Sequence, residues 1–503
     1  MVVAAMALAA GQIVSAFVAQ DSAPIVAVGQ AAIDLTPEWL KSFAIDTFGE
    51  QDKVALIVGM VAVLAVLAGV AGVASLRRPA VGLLFLVGLG AVGVAAALTR
   101  PNATAVWALP SVVAGVAGAS ALRYLLRRAV GDAAPAADAS PTGAPHAFDR
   151  RTFVRGALTM GGVAVAGGLV GATIGERRFG AVSSRAGVRI PAAADTAAAL
   201  PAGVDLGLTD LTPFVTPNDD FYRVDTALFP PQVRSDDWTL RIHGMVDRPL
   251  EITYDQLLAR DLVERDVTLS CVSNEVGGPY AGNARWTGAL LRPILEEAGL
   301  HDDADQLVSR SADGMTIGTP SVAVMDGRDA MLAVAMNGEP LPIAHGFPVR
   351  MIVPGLYGYV SATKWVVEIE ATTFDAFDAY WVERGWAEDP PAVKTMSRID
   401  TPRPLAGLAS GTVAVAGVAW AQHRGIERVE VRVDEGEWNV AELAEVPNVD
   451  TWRQWVWRWD ATPGSHTLEV RATDGEGETQ PEERMPPFPE GATGWHSVVV
   501  NVE

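Results

Sequence analysis

Five stretches of the first 175 residues carry no charged side chain: 1–20, 54–75, 79–99, 101–122 and 156–175. A helix needs about 20 apolar residues to cross a ~30 Å hydrocarbon core, and each stretch is about that long. Lipid offers no hydrogen bonds to a bare backbone, so a run such as VALIVGMVAVLAVLAGVAGVAS at 54–75 is confined to helix. Four transmembrane helices are therefore predicted within 1–130 and a fifth over 150–175. Pro110 sits in the fourth stretch, tolerable where neighbours satisfy the freed carbonyl. The first begins at Met1 without a basic leader and fits either a signal peptide or a truncated gene start. No His, Asp, Glu, Lys or Arg occurs in the five, so a haem, proton relay or ion path inside the bundle has no side chains to use. This part reads as anchor and assembly surface.

Arginines orient it. Arg77 and Arg78 join the second and third stretches, Arg123, Arg127 and Arg128 follow the fourth, and Arg150, Arg151 and Arg155 precede the fifth. The 21–53 loop is acidic instead, with six Asp/Glu against two Lys. Basic loops stay cytoplasmic. The N-terminus then lies inside and everything after about residue 176 outside, which predicts a multi-pass cell-membrane protein, in contact with lipid, whose large soluble half is extracytoplasmic. The entry to the fifth stretch, Asp149-Arg150-Arg151-Thr152-Phe153-Val154-Arg155, resembles the twin-arginine export signal, used by proteins exported folded. Gly88-Leu89-Gly90-Ala91-Val92-Gly93 fits a dinucleotide-binding GxGxxG but lies in an uncharged span with no strand before it. Like Gly167-x-x-x-Gly171, it is expected to be a helix-packing face.

Charge separates the two halves. Residues 1–175 hold 11 Lys/Arg and 9 Asp/Glu of the chain's 38 and 59, net +2, so the rest carries net −23. A soluble part that acidic is repelled by phosphate backbones, and nucleic acid is excluded as a partner. Residues 131–149 read as a cytoplasmic linker and 176–204 as a tether. From 205 to 395, short β-type runs such as WTLRIHG (238–244) and DVTLSC (266–271) alternate with helix-like LLRPILEEAG (290–299), which predicts a mixed α+β domain. Over 396–503 the pattern is all period-2: TVAVAGVAW, RVEVRVD, WNVAEL, RQWVWRWDA, HTLEVRATD and HSVVVNVE, with Asp434-Glu435-Gly436-Glu437 as a hairpin turn. An immunoglobulin-like β-sandwich is predicted there, with Trp455, Trp457 and Trp459 filling one face.

No GxSxG elbow, HExxH or P-loop occurs, and seven scattered histidines make no zinc site. Cysteine occurs once, at Cys271, so no internal disulfide, CxxC pair or CxxCH haem attachment is possible. That cysteine ends a strand and enters a Gly-rich loop, a placement that presents a thiolate to a ligand; soft thiolates suit metals held in cofactors.

The soluble half resembles the sulfite oxidase family of molybdopterin-dependent oxidoreductases over roughly 205–503. Four segments carry the resemblance: Thr216-Pro-Asn218-Asp-Asp-Phe221-Tyr222; Thr268-Leu-Ser-Cys271; Gly282-Asn-Ala284-Arg285-Trp286-Thr-Gly288; and Ala335-Met-Asn337-Gly338 through His345-Gly346, Pro348-Val-Arg350 and Pro354-Gly355 to Thr363-Lys364-Trp365. It implies a molybdenum–molybdopterin cofactor with Cys271 as metal ligand, and cofactor contacts from Asn218, Phe221, Tyr222, Ser311, His345, Arg350, Ala362, Thr363 and Lys364. His345 and Arg350 would hold the phosphate end. A guanidinium forks phosphate with two hydrogen bonds and Lys adds a point charge. The terminal sandwich matches the family's dimerisation domain and implies a possible homodimer.

The departures bear on substrate. Sulfite oxidases follow the cysteine with Ala-Gly-Asn-Arg-Arg; here Val272-Ser273-Asn274-Glu275-Val276 replaces it, removing two cations. Trp386 stands where those enzymes place a tyrosine. Arg285 remains, either as an anion-facing catalytic residue or as a salt-bridged structural one. No haem segment is present, so electrons would leave to a separate partner. The resemblance implies a membrane-anchored enzyme carrying out two-electron oxo-transfer on a small-molecule substrate at the outer face. The alternatives are an S- or N-oxide reductase of methionine-sulfoxide type on the same fold, and a non-catalytic anchored binding protein.

Overall fold

The computed structural model describes residues 1–37, 40, 43, 47–48, 52–101, 103–130, 150–388 and 392–503. The expected linker 131–149, including Asp149 of the twin-arginine motif, and much of the 38–51 stretch lie outside them. The chain forms two compact units. One is Met1–Ser183 with Thr226–Gln232, the other Ser184–Asp225 with Val233–Glu503.

The first unit is helical: Val2–Val18, Pro24–Leu35, Asp52–Arg77, Pro79–Leu98, Leu109–Val130 and Arg150–Phe179. Proline opens two of these helices, where its missing N–H costs nothing. Four segments are long and apolar enough to cross a membrane: Lys53–Arg77, Pro79–Leu98, Ala105–Arg128 and Phe153–Gly187. The first apolar stretch differs from expectation. It is a helix of 17 residues that ends at Val18, and the acidic 21–53 segment contains a second short apolar helix of 12 residues. The glycine-rich runs are helical and some of their glycines are contact points. A Cβ on Gly171 would fall 2.9 Å from the Ile13 backbone nitrogen, and one on Gly93 2.6 Å from Ser111 Oγ. Segment 226–232 is tied to the helices by Gln30, which donates to the Thr226 carbonyl and accepts from Leu228 N–H.

The second unit holds four sheets. Strands β1 (Thr239–Gly244), β2 (Leu250–Thr253), β5 (Gln306–Ser311), β6 (Thr316–Pro320) and β10 (Val366–Thr372) form one, in the order β2-β1-β10-β5-β6 with β1 and β10 parallel. Strands β3 (Leu262–Ser270), β4 (Ala281–Leu290), β7 (Met331–Met336) and β8 (Glu339–Pro340) form another, with β9 (Arg350–Ile352) pairing β7. The segment read as helix-like is the helix Leu291–Ala298, whose Leu291, Ile294, Leu295 and Ala298 are buried; Gly299 in the left-handed region ends it.

After residue 395 the structure is two further sheets. One is β11 (Met396–Thr401), β13 (Gly411–Trp420), β17 (Arg453–Ala461) and β16 (Glu442–Leu443). The other is β12 (Gly407–Leu408), β19 (His496–Val502), β18 (Gly464–Asp474), β14 (Ile426–Val433) and β15 (Asn439–Val440). Asp434 and Glu435 both take positive φ in the turn between β14 and β15. The run WNVAEL does not make one strand: β15 joins one sheet and β16 the other. Trp455 and Trp459 are buried in the core between the sheets, with Trp457 packed against it. Trp452 belongs to the other core; its indole donates to the Phe214 carbonyl and its N–H to Thr268 Oγ1, three residues before Cys271.

Candidate cofactor site

The site starts where β3 runs out. Cys271 N–H donates to the Tyr280 carbonyl at 2.9 Å, closing the 271–280 loop, and Asn274 N–H returns to the Cys271 carbonyl at 3.1 Å. Asn274 Oδ1 accepts from Tyr280 N–H at 2.8 Å. The strand beneath is held by Gln422, whose amide donates to the Thr268 carbonyl. Cys271 is 9% exposed, and its Sγ lies 2.9 Å from Ser273 Oγ. Burial pushes the thiol up; the Ser273 hydroxyl and the Lys364 ammonium oppose it.

The 216–222 segment lies along β4. Thr216 N–H donates to the Asn283 carbonyl and Thr216 Oγ1 accepts Asn283 N–H. Phe221 stacks on Tyr222 and sets its edge against Trp286 and His345, at centroid separations of 5.3, 5.7 and 5.6 Å. Only a glycine at 282 allows this, since a Cβ there would sit 2.8 Å from the Phe221 ring. The Asn337-Gly338 turn, with both residues at positive φ, does more than reverse the chain. Asn337 Nδ2 donates to the Thr216 carbonyl and to Asn218 Oδ1, while its Oδ1 accepts Arg285 N–H.

Two cations and an imidazole converge from the 343–364 stretch. His345 Nε2 lies 3.0 Å from the Asn218 carbonyl. Burial, reinforced by the charges of Arg350 and Lys364, pushes its pKa down to about 4. Arg350 opens β9, 5% exposed, with its guanidinium 5.0 Å over the Trp286 ring. Nη1 donates to the His345 carbonyl, Nε has no hydrogen-bond partner, and no carboxylate pairs with it among the described residues. Burial lowers its pKa to about 10. Lys364 Nζ lies 2.9 Å from Asp225, a carboxylate only 3% exposed that also meets Arg223 at 3.1 Å. Gly346, at φ 112°, lets the chain pass close to both cations: a Cβ there would be 3.0 Å from Arg350 Cβ and 3.2 Å from Lys364 Cα. Gly358 closes the ring of elements, with Ser270 O and Tyr222 Oη 3.7 and 3.9 Å from where its Cβ would be.

The structure thus gathers Cys271, Asn218, Phe221, Tyr222, His345, Arg350 and Lys364. Ala362 and Thr363 are on the same segment, but the Thr363 hydroxyl is engaged by Ser309. Ser311 is beside them through the β5–β10 pairing, its buried hydroxyl without a hydrogen-bond partner among the described residues.

Arg285 is a correction. Side chains alternate along β4, so while Trp286 meets Phe221 and Arg350, Arg285 points to the other face. There it forks Asp266 at 2.9 and 2.7 Å and donates to the Ala198 carbonyl; Asp266 is 2% exposed. It is the structural pair, not an anion-facing residue. Glu275 is exposed, and Trp386 packs against Tyr359, Trp381 and Phe488.

Sequence reading passed over Ser273, Asp225 and the tethering role of Asn337. Only the last had a signal, an Asn-Gly pair inside the long matched block. A further cluster, His243, Glu368 and Glu370, brings potential ligand atoms within 4.8 Å on the outer face of the first sheet. Its Glu368 is already met by His243 at 2.6 Å and by Arg310 at 3.4 Å.

Residues 227–381 match the family described as oxidoreductase molybdopterin binding domain. The chain is 30% identical over 324 residues to mitochondrial sulfite oxidase of Drosophila melanogaster, covering 54% of this chain and 56% of that one. It is 29% identical over 322 residues to sulfite oxidase of Gallus gallus, covering 54% and 69%. An inducible NADH nitrate reductase of Glycine max is 30% identical over 319 residues, half of this chain and 35% of that one. The chain therefore spans roughly half to two-thirds of the length of the sulfite oxidases it matches. Among solved structures, the sulfane dehydrogenase SoxCD of Paracoccus pantotrophus superposes with a TM-score of 0.50 at 24% identity, over 58% of this chain and 84% of that one, a likeness of fold. Residues 227–381 thus form an oxidoreductase molybdopterin binding domain, and over that domain and its surroundings the chain is similar to the molybdenum-dependent sulfite oxidases.

Proposed function

We propose that this chain is a membrane-anchored oxidoreductase that acts on a small substrate at the outer face of the membrane and passes electrons to a separate partner. The gathered residues fit a molybdenum–molybdopterin cofactor, and Arg350 carries the argument. A buried guanidinium with no carboxylate and an orphaned Nε costs free energy unless an anion completes it. A cofactor phosphate is such an anion. When bound, the cofactor supplies two-electron oxo-transfer chemistry, which no side chain here can perform.

The protein's part is to bind and orient. Cys271 offers the metal a sulfur. His345 is neutral at pH 7, so it hydrogen-bonds without adding to the local charge. Lys364 and Arg350 supply cations, with Asp225 tempering the first. Phe221 and Tyr222 present a stacked face, and Ser311 an unspent hydroxyl. The two terminal sheets are read as the immunoglobulin-like sandwich, and the four long apolar helices as membrane spans.

The commitment of Arg285 to Asp266 favours a second reading as to substrate. It removes the cation set aside for a dianion and supports a neutral S- or N-oxide turned over reductively. Assays in both directions separate the two. The cofactor reading is tested by molybdenum and pterin content of the full chain expressed with cofactor biosynthesis intact. Wild type is expected to carry both and Cys271→Ser to lose the metal; a wild type no richer in molybdenum than that variant would sink the proposal.

A further inference from the structure

The loop after Cys271 puts a hydroxyl on the sulfur. Ser273 Oγ lies 2.9 Å from Cys271 Sγ and has no other partner among the described residues. The contact is built in. Asn274 N–H to the Cys271 carbonyl closes a turn that folds residue 273 back over residue 271, and Asn274 Oδ1 pins the far side of the loop at Tyr280. In a free thiol either atom can donate. A sulfur that ligates metal has no proton, so the hydroxyl must donate and the sulfur accept.

We propose that Ser273 is a positioning residue whose hydroxyl donates to the metal-bound Cys271 sulfur, drawing electron density from it and raising the reduction potential of the metal. This rests on the reading of Cys271 as the metal ligand. Hydrogen bonds to ligating sulfur stabilise the more reduced metal, because they weaken the electron donation that favours the oxidised one. Ser273 is half-buried and lies in a turn, so its truncation leaves no large cavity and strands no other polar group. Its effect is therefore on the sulfur rather than on the fold.

The test is a redox titration of the molybdenum-loaded full chain, followed by the paramagnetic metal signal, with metal content measured on the same samples. Ser273→Ala and Ser273→Gly are expected to keep their molybdenum and to shift the one-electron equilibrium towards the oxidised side by up to about tenfold, or 59 mV. Ser273→Thr keeps the hydroxyl and is expected to restore the wild-type value. Should Ala disturb the turn, Gly makes the same deletion with a freer backbone. Loaded Ala or Gly variants with an unchanged potential overturn the inference and leave the cofactor reading standing, as does loss of metal from both, which makes Ser273 merely structural. A wild type without molybdenum overturns both.

Discussion

Two arginines in the same stretch of fold illustrate how pairing decides a residue's role. Arg285 has a buried carboxylate to itself; Arg350 has none. Their truncations should therefore fail in opposite ways. Arg285→Ala strands Asp266 in the core, and losing one partner of such a pair costs about 2–4 kcal/mol, less than a fully buried pair because this guanidinium is partly exposed. A lowered Tm with cofactor content retained is expected. Arg350→Met removes an uncompensated buried charge and fills its place, so the cofactor-free protein should melt no lower than wild type while pterin and molybdenum are lost. Thermal melts of loaded and unloaded protein, with metal content alongside, read both. If Arg350→Met kept its cofactor, the phosphate-holding role would fall. Buried histidines give a third expectation. His345 and His496 are both held near pKa 4, by burial first and then by arginines and, for His345, Lys364. The unfolded chain binds their protons near pH 6.5, so between pH 6.5 and 4 it holds more protons than the fold does. Stability is intact above pH 6.5, falls as pH drops through that window, and levels off below it. The loss is on the order of 3 kcal/mol for each histidine. His496→Asn should flatten its share in a Tm–pH series.

At the scale of elements, what was legible is what local pattern dictates. The period-2 runs became β13, β14, β17, β18 and β19, and the amphipathic 291–298 run became a helix, because each can bury one face in only one way. Pairing partners are different. WNVAEL alternates correctly yet divides between two sheets, and β11 and β12 lie in segments with no strong alternation, so their place comes from neighbours rather than from their own residues. The site shows the same divide. The Cys271, His345, Arg350 and Lys364 positions were readable from motifs, whereas the direction in which Arg285 points depends on its parity within β4, and Asp225 is brought to Lys364 only by the tertiary fold. Glycine 282 is where an element and the site meet. Gly282→Ala places a methyl 2.8 Å from the Phe221 ring, so the ring or β4 must shift. Overpacking of this kind costs about 1–3 kcal/mol. Since Phe221 braces Tyr222 and His345, pterin retention is expected to fall with the Tm. A variant that melts lower but stays fully loaded would show that the ring's position does not matter to the cofactor.

For the whole molecule, the proposed orientation is the same whether or not the first helix crosses the bilayer. If Val2–Val18 crosses the bilayer the N-terminus is inside, and if it does not, the N-terminus is outside. Either way, on the proposed reading Lys53–Arg77, Pro79–Leu98, Ala105–Arg128 and Phe153–Gly187 would lead alternately inward and outward and leave residues after 187 on the same outer side. In that arrangement Arg77, Arg78, Arg123, Arg127, Arg128, Arg150, Arg151 and Arg155 would all face the cytoplasm. Arg100, Arg177 and Arg178 would fall on the outer side, against the trend; Asp34 meets Arg100 at 2.8 Å and offsets its charge. Because Cys271 is the chain's single cysteine, Cys271→Ser gives a clean background for labelling. A cysteine placed at exposed Thr196 should react with a membrane-impermeant maleimide on cells whose outer barrier is opened, whereas one at Ser140, outside the described residues, should react only after lysis. The reverse pattern would put the cofactor unit in the cytoplasm, and with it any redox partner. Replacing Arg150 and Arg151 with lysines adds the kinetic side of the same argument. Export through a twin-arginine route would then stop, leaving residue 196 unlabelled from outside although the charge count is unchanged, whereas an ordinary basic anchor would tolerate the exchange.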